Sequence, residues 1–229
     1  MKPLAIVTLL AAVTAGSGEA RDMTEKLHWL GHDTFRIDGP VVVYVDPYQI
    51  PDGLPKADVI LITHDHFDHL SPADVARIHK AGTIVVAPKE VSGKLPYPVE
   101  VIAAGETKTV AGITVKAVPA YNTDKTFHPK ADGKVGFIIT AEGVTYYHAG
   151  DTDLIPEMAG LAPDVALLPV SGTYVMTADE AAKAARKIKP KVAVPMHYGA
   201  IVGSEADAET FKAKAKVPVV ILKPETPKP

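Results

Sequence analysis

One stretch narrows the fold of this chain more than any other. It runs from Asp58 to Leu70: Asp-Val-Ile-Leu-Ile-Thr-His-Asp-His-Phe-Asp-His-Leu. Val59 to Ile62 is an apolar run and reads as a buried strand. Ser71-Pro72-Ala73-Asp74 reads as a helix start, with serine as N-cap, proline at the first helical position and an acid in the first turn. Between them lie four side chains able to ligate a metal, His64, His66, Asp68 and His69, in a loop joining a strand end to a helix.

Neutral imidazoles with a carboxylate suit a borderline divalent ion such as zinc. Side chains at i and i+2 of an extended segment point the same way, so His64 and His66 can share one ion. Asp68 and His69, past the turn, point elsewhere and can serve a second ion. A polar loop with histidines capping backbone groups is the plainer reading, but three histidines and an aspartate packed this closely after a buried strand favour metal. The chain has no cysteine, so any metal is held by nitrogen and oxygen, and no disulfide contributes to stability.

Thr63-His64-Asp65-His66-Phe67-Asp68-His69 resembles the His-x-His-x-Asp-His signature of the metallo-β-lactamase superfamily. Four further segments resemble that family in family order: Leu30-Gly31-His32, Tyr121-Asn122 with His128, Gly150-Asp151-Thr152, and Met196-His197-Tyr198-Gly199. The branch most similar is that of small metal-dependent hydrolases akin to L-ascorbate-6-phosphate lactonase and N-acyl-phosphatidylethanolamine phospholipase D.

The rest of the chain sets the frame. A chain of 229 residues suits one large domain. A net charge of −3 without a Lys/Arg cluster argues against a nucleic-acid partner. Residues 1–20 start with Lys2, continue through the apolar run Leu4 to Val13 and end in small residues. They read as a secretory signal peptide cleaved after Ala15 or Ala20, which places the mature domain, 21–229, in the periplasm or outside the cell without a stable membrane anchor. Hairpins are expected over residues 26–46, 107–118 and 134–149. Residues 96–102 should form an edge piece, residues 164–170, 192–196 and 217–222 strands, and residues 72–80, 178–188 and 204–214 helices. Thr177 and Glu180 form a capping box before the second helix. Pattern alone gives mixed α/β or α+β; the resemblance implies the α+β four-layer αββα sandwich, with its site between the sheets.

The resemblance also implies a ligand set. His64 and His66, completed by His128 or by Asn122, would hold one ion; Asp68, His69 and His197 would hold another, with Asp151 between them. It implies metal-dependent hydrolysis of a small-molecule substrate by a hydroxide bridging two divalent ions, most simply Zn2+, with Mn2+, Fe2+ or Ni2+ as alternatives. An ester or lactone is the expected substrate type, with Asp68 handling the proton and Asn122 and Tyr198 as candidate catalytic donors. A phosphodiesterase drawing on Lys125 and Lys130 is one rival. A periplasmic metal-binding protein without catalysis is the other. His32 reads equally as site rim or turn residue, Asp46 as a supporting group, His28 and His148 as structural, and His79 as solvated.

Overall fold

Alternation along one strand, β4 (Val59–Leu61), decides how the layers stack. In the computed structural model, which describes residues 22–225, Val59 and Leu61 point into a core shared with Phe35, Val45, Val115, Phe137 and Ile139. Ile60 and Ile62 point the other way, onto Val75 and Ile78 of the helix that follows. A strand buried on both faces must sit between two apolar layers, which is why it reads as a continuous hydrophobic run.

The first sheet has six strands in chain order: β1 (Leu27–Gly31), β2 (Thr34–Ile37), β3 (Val43–Val45), β4, β5 (Ile84–Ala87) and β6 (Val99–Val101). Pairing is antiparallel from β1 to β3 and parallel from β3 to β6. The second sheet is again six-stranded, from β7 (Thr107–Val110) through β8 (Ile113–Pro119), β9 (Val135–Ala141), β10 (Val144–His148) and β11 (Val165–Pro169) to β12 (Val192–Met196). It is antiparallel up to β10 and parallel beyond. Helix α1 (Pro72–Ile78) covers the outer face of the first sheet. Helix α2 (Ala178–Ile188) lies on β11, and α3 (Glu205–Lys214) lies on β12 and α2. The order helix, sheet, sheet, helix is the four-layer αββα sandwich.

Local chemistry fixes the helix ends. Ser71 Oγ accepts from Asp74 N at 3.2 Å. Thr177 Oγ1 accepts from Glu180 N, and Glu180 Oε2 accepts from Thr177 N at 2.8 Å, so the expected capping box is present. Ala178, Ala181, Ala182, Ala185 and Ile188 are buried, and these short side chains bring α2 close to its sheet. Three expectations need correction. Helix α1 stops at Ile78, because His79 is extended, and the His79 ring stacks on Tyr97 with centroids 3.7 Å apart instead of standing in water. Residues 217–222 form no strand; a single bridge joins Val219 to Ala193, beside Pro218, which has no N–H to donate. The presumed signal peptide, residues 1–20, lies outside the described residues. Among the described residues, no helix is long and apolar enough to cross a membrane.

At one end of the sandwich the two sheets are joined through backbone. Val135 N donates to Thr63 O at 3.2 Å, and His197 N donates to His32 O at 3.1 Å. Close packing of backbone at this end requires glycine. A Cβ on Gly136 would lie 2.6 Å from the carbonyl oxygens of His148 and Ala149. Gly150 combines φ +62° with 2.9 Å to Val135 O. In urea melts, Gly136→Ala is expected to cost about 2 kcal/mol or more through overpacking. Gly143→Ala, at φ +79° in open space, should cost only about 1 kcal/mol.

Candidate metal centre

The ends of β4, β10 and β12, the β1–β2 turn and the loop between β8 and β9 deliver their polar side chains to this joined end. His64 Nε2 lies 3.1 Å from His66 Nδ1, and His128 Nε2 lies 3.2 Å from the same atom. Three ring nitrogens therefore converge. The far nitrogens of His64 and His128 are anchored. His64 Nδ1 is 3.0 Å from Thr63 Oγ1. His128 Nδ1 donates to Asn122 Oδ1 at 3.1 Å, which leaves the Nε2 lone pair facing the group.

A second group combines Asp68, His69 and His197 with His32, each offering an atom within 4.8 Å of the others. His69 Nδ1 donates to Asp46 Oδ2 at 2.8 Å. Asp46 also accepts from Thr63 N at 2.7 Å and Thr63 Oγ1 at 2.6 Å, so one buried carboxylate orients the whole loop. His197 Nδ1 is paired with Ser171 Oγ at 2.8 Å. Asp151 stands between the groups: Oδ1 is 3.3 Å from His69 Nε2, and Oδ2 is 3.3 Å from His128 Nε2 and 3.4 Å from His197 Nε2.

Electrostatics separate the two groups. Burial, together with the neighbouring His69, pushes His64 well below its usual value, and burial takes His128 down to about 4. Burial and the nearby Lys134 lower His66. These three rings are neutral, lone-pair donors at neutral pH. In the second group, burial takes His32 down to about 4, whereas for His69 and His197 the carboxylates outweigh burial. Asp151 and Asp33 raise His197 to about 9, and Asp151 and Asp46 raise His69 well above normal. Burial opposes ionisation of Asp151 too, yet His197 and His69 hold it well below the carboxylate range.

His64, His66, His128, Asp68, His69, Asp151 and His197, the seven residues predicted as ligands, are thus brought together. The two predicted donors behave differently. Asn122 does not face the centre: Oδ1 accepts from the N–H and Nδ1 of His128, and Nδ2 donates to the Tyr174 carbonyl at 2.9 Å. Its oxygen and one amide N–H are engaged in this way, so Asn122 positions His128. Tyr198 is buried against Trp29, with ring centroids 4.9 Å apart. His32 is no rim residue: it is buried, with Nε2 3.1 Å from Asp68 Oδ2. His28 pairs with Glu225 at 2.6 Å and Asp38 at 3.1 Å, and His148 Nε2 donates to the Asp33 carbonyl at 2.9 Å, both structural. Sequence reasoning missed Asp33 and Ser171. Asp33 is wholly buried, neither oxygen has a hydrogen-bond partner, and burial raises its pKa well above normal. The signal was a second ionisable residue directly after His32, in a turn before an apolar strand.

A metal fits this arrangement. His69 Nε2, His197 Nε2 and Asp151 Oδ1 are buried without hydrogen-bond partners although they lie within a few ångströms of one another. Orphaned buried polar atoms are costly unless something binds them. The donors are imidazole nitrogens and carboxylate oxygens, the set that zinc, manganese, iron and nickel accept.

Comparison with known proteins agrees with this geometry. Residues 26–197 match the beta-lactamase superfamily domain. The chain is 39% identical over 225 residues to a UPF0173 metal-dependent hydrolase of Archaeoglobus fulgidus, covering 87% of this chain and 96% of that one. A Pyrococcus furiosus UPF0173 metal-dependent hydrolase is 38% identical over 226 residues, with the same coverage. Among solved structures, Igni18, a metallo hydrolase from Ignicoccus hospitalis, superposes with TM-score 0.72 at 28% identity, over 86% of this chain and 94% of that one.

Asp46→Ala tests the support beneath the centre. It strands the buried donors of Thr63 and His69, so stability should fall by about 3 kcal/mol in denaturant titration. Zinc affinity, read by competition with a chelator, should fall about 10- to 100-fold. Asn122→Ala should lower affinity similarly with a smaller loss of stability.

Proposed function

Because this chain belongs to the metallo-β-lactamase superfamily and is a metal-dependent hydrolase of that superfamily, we propose that it hydrolyses an ester or lactone using two divalent ions. The observation that carries the proposal is Asp151. It touches both imidazole groups: Oδ1 lies 3.3 Å from His69 Nε2, and Oδ2 lies 3.3 Å from His128 Nε2 and 3.4 Å from His197 Nε2. In this reading His64, His66 and His128 hold one ion, Asp68, His69 and His197 hold the other, and Zn2+ is the simplest occupant. Such an ion pair supplies an acidified water as nucleophile and a Lewis acid for the substrate oxygen.

The chain's own groups do the rest. Asp68 is held by His32 and kept ionised: burial opposes its charge, but the His32 hydrogen bond lowers its pKa. It is placed to orient the attacking water, take its proton and pass that proton to the departing alkoxide. Asp46, Asn122 and Ser171 fix the rings so that the same nitrogen of His69, His128 and His197 faces inward.

The rival readings lose their support. A phosphodiesterase drawing on Lys125 and Lys130 is less favoured, because Lys125 is paired with Asp153 at 2.5 Å and Lys130 with Glu157 at 2.8 Å. A non-catalytic protein rested on Asn122 replacing a ligand, and Asn122 instead braces one. The test is metal content beside turnover. Wild type should carry about two equivalents and His128→Ala about one, with hydrolysis across an ester and lactone panel falling at least 100-fold in the variant and on chelation. Two equivalents in both proteins would remove His128 from the set. A loaded protein that turns over phosphodiesters and no lactone would reverse the substrate assignment.

A further inference from the structure

Among the described residues the large hydrophobic side chains that stand exposed are Phe67, Val101, Phe127 and Ile201. Val101 belongs to the edge strand β6. The other three sit on the loops that carry the candidate ligands. Phe67 lies between His66 and Asp68, Phe127 directly precedes His128, and Ile201 follows His197 by four positions. Phe67 is 67% exposed, Phe127 48% and Ile201 41%.

The two phenylalanines are not loose. Phe67 packs edge-on against Tyr48, with centroids 5.9 Å apart, and Tyr48 is in turn edge-on to His32 at 6.5 Å. Phe127 packs edge-on against Tyr174 at 4.7 Å, and the Tyr174 carbonyl accepts from Asn122, the residue that braces His128. Each exposed ring is thus one contact from a buried side chain of the metal centre. His66 and His128, their chain neighbours, have rings 5.0 Å apart. Keeping such surface in water is unfavourable, and grouped apolar exposure beside a polar site marks a binding surface. The local charge is also consumed: Lys125, Lys130 and Lys134 are paired with Asp153, Glu157 and Glu90, and Lys94 with Asp65.

We infer that Phe67 and Phe127, backed by Tyr48 and Tyr174, form an apolar mouth that binds the acyl or aryl portion of the substrate. The preferred substrate is then a hydrophobic ester or lactone. This rests on the hydrolase reading above and narrows it from any ester to one with an extended apolar group. Selectivity comes from the mouth, while the buried histidines and carboxylates act on the polar end.

The test measures binding without turnover. Acetate, hexanoate and decanoate, the last below its micelle concentration, are titrated into zinc-loaded full-length protein by calorimetry. Affinity should rise about two- to fourfold per added methylene. The decanoate-to-acetate ratio should fall at least tenfold in Phe67→Ala and in Phe127→Ala, with melting temperatures near wild type because both rings are exposed. A flat series in wild type overturns the inference, and so does a ratio that survives both substitutions. If Phe67→Ala instead converts a dimer to a monomer in light scattering and leaves the ratio intact, the patch is a contact between copies of this chain and the inference fails. Lactone turnover with no chain-length preference would sink this inference alone. A steep binding series with no turnover of any ester or lactone would keep the mouth and sink the reaction assignment.

Discussion

Asp151 is a carboxylate almost without water, within 3.4 Å of ring nitrogens from His69, His128 and His197, each delivered by a different segment. An isolated buried charge costs several kcal/mol, and the protein offsets that cost with imidazoles of opposite or complementary character. Nearly every other feature of this end of the fold serves that arrangement. Gly150 lets the chain turn beneath the Thr63 side chain, Gly136 lets β9 pass under the carbonyls of β10, and the bond from His197 N to His32 O ties the second sheet to the first. The centre is where two sheets meet because only there can strand ends from both be brought within a few ångströms.

Around that carboxylate the fold solves a smaller problem repeatedly: which imidazole nitrogen faces inward. Asp46 answers it for His69, Asn122 for His128 and Ser171 for His197. The answers use three different chemistries, a carboxylate, an amide and a hydroxyl, yet each leaves Nε2 inward. His66 is the exception, presenting Nδ1 to its neighbours. It is also the half-exposed member of its group, beside the exposed Phe67.

Much of this was legible in the sequence where the physics is local. The burial of β4 on both faces follows from its unbroken apolar run, the capping box from Thr177 and Glu180, and the convergence of His64 with His66 from the period of an extended chain. What was illegible depended on partners far away in the chain. Asn122 looked like a substituted ligand because its partner, His128, is fixed by how the β8–β9 loop folds back. Tyr198 looked catalytic by proximity to His197, but consecutive residues beyond a strand end point apart, and its ring went to Trp29. Asp33 was passed over because a single acid in a turn is ordinarily solvated; only the docking of the second sheet buries it. The last segment failed as a strand because one proline is enough to interrupt a ladder at an edge.

The span of the centre along the chain has a consequence for how the protein comes into being. Its first predicted ligand is His64 and its last is His197, and the bond between His197 N and His32 O closes a loop longer still. The first sheet and α1 can form early, since β1 to β6 pair in sequence order. At that stage it holds His64, His66, Asp68 and His69 without Asp151, His128 or His197. Half a site is an open chelator, able to take whatever ion is at hand and to share it with another unfinished chain. Only when β12 docks do the carboxylate and the remaining imidazoles enclose the space, which couples completion of the proposed site to the final closure of the sandwich.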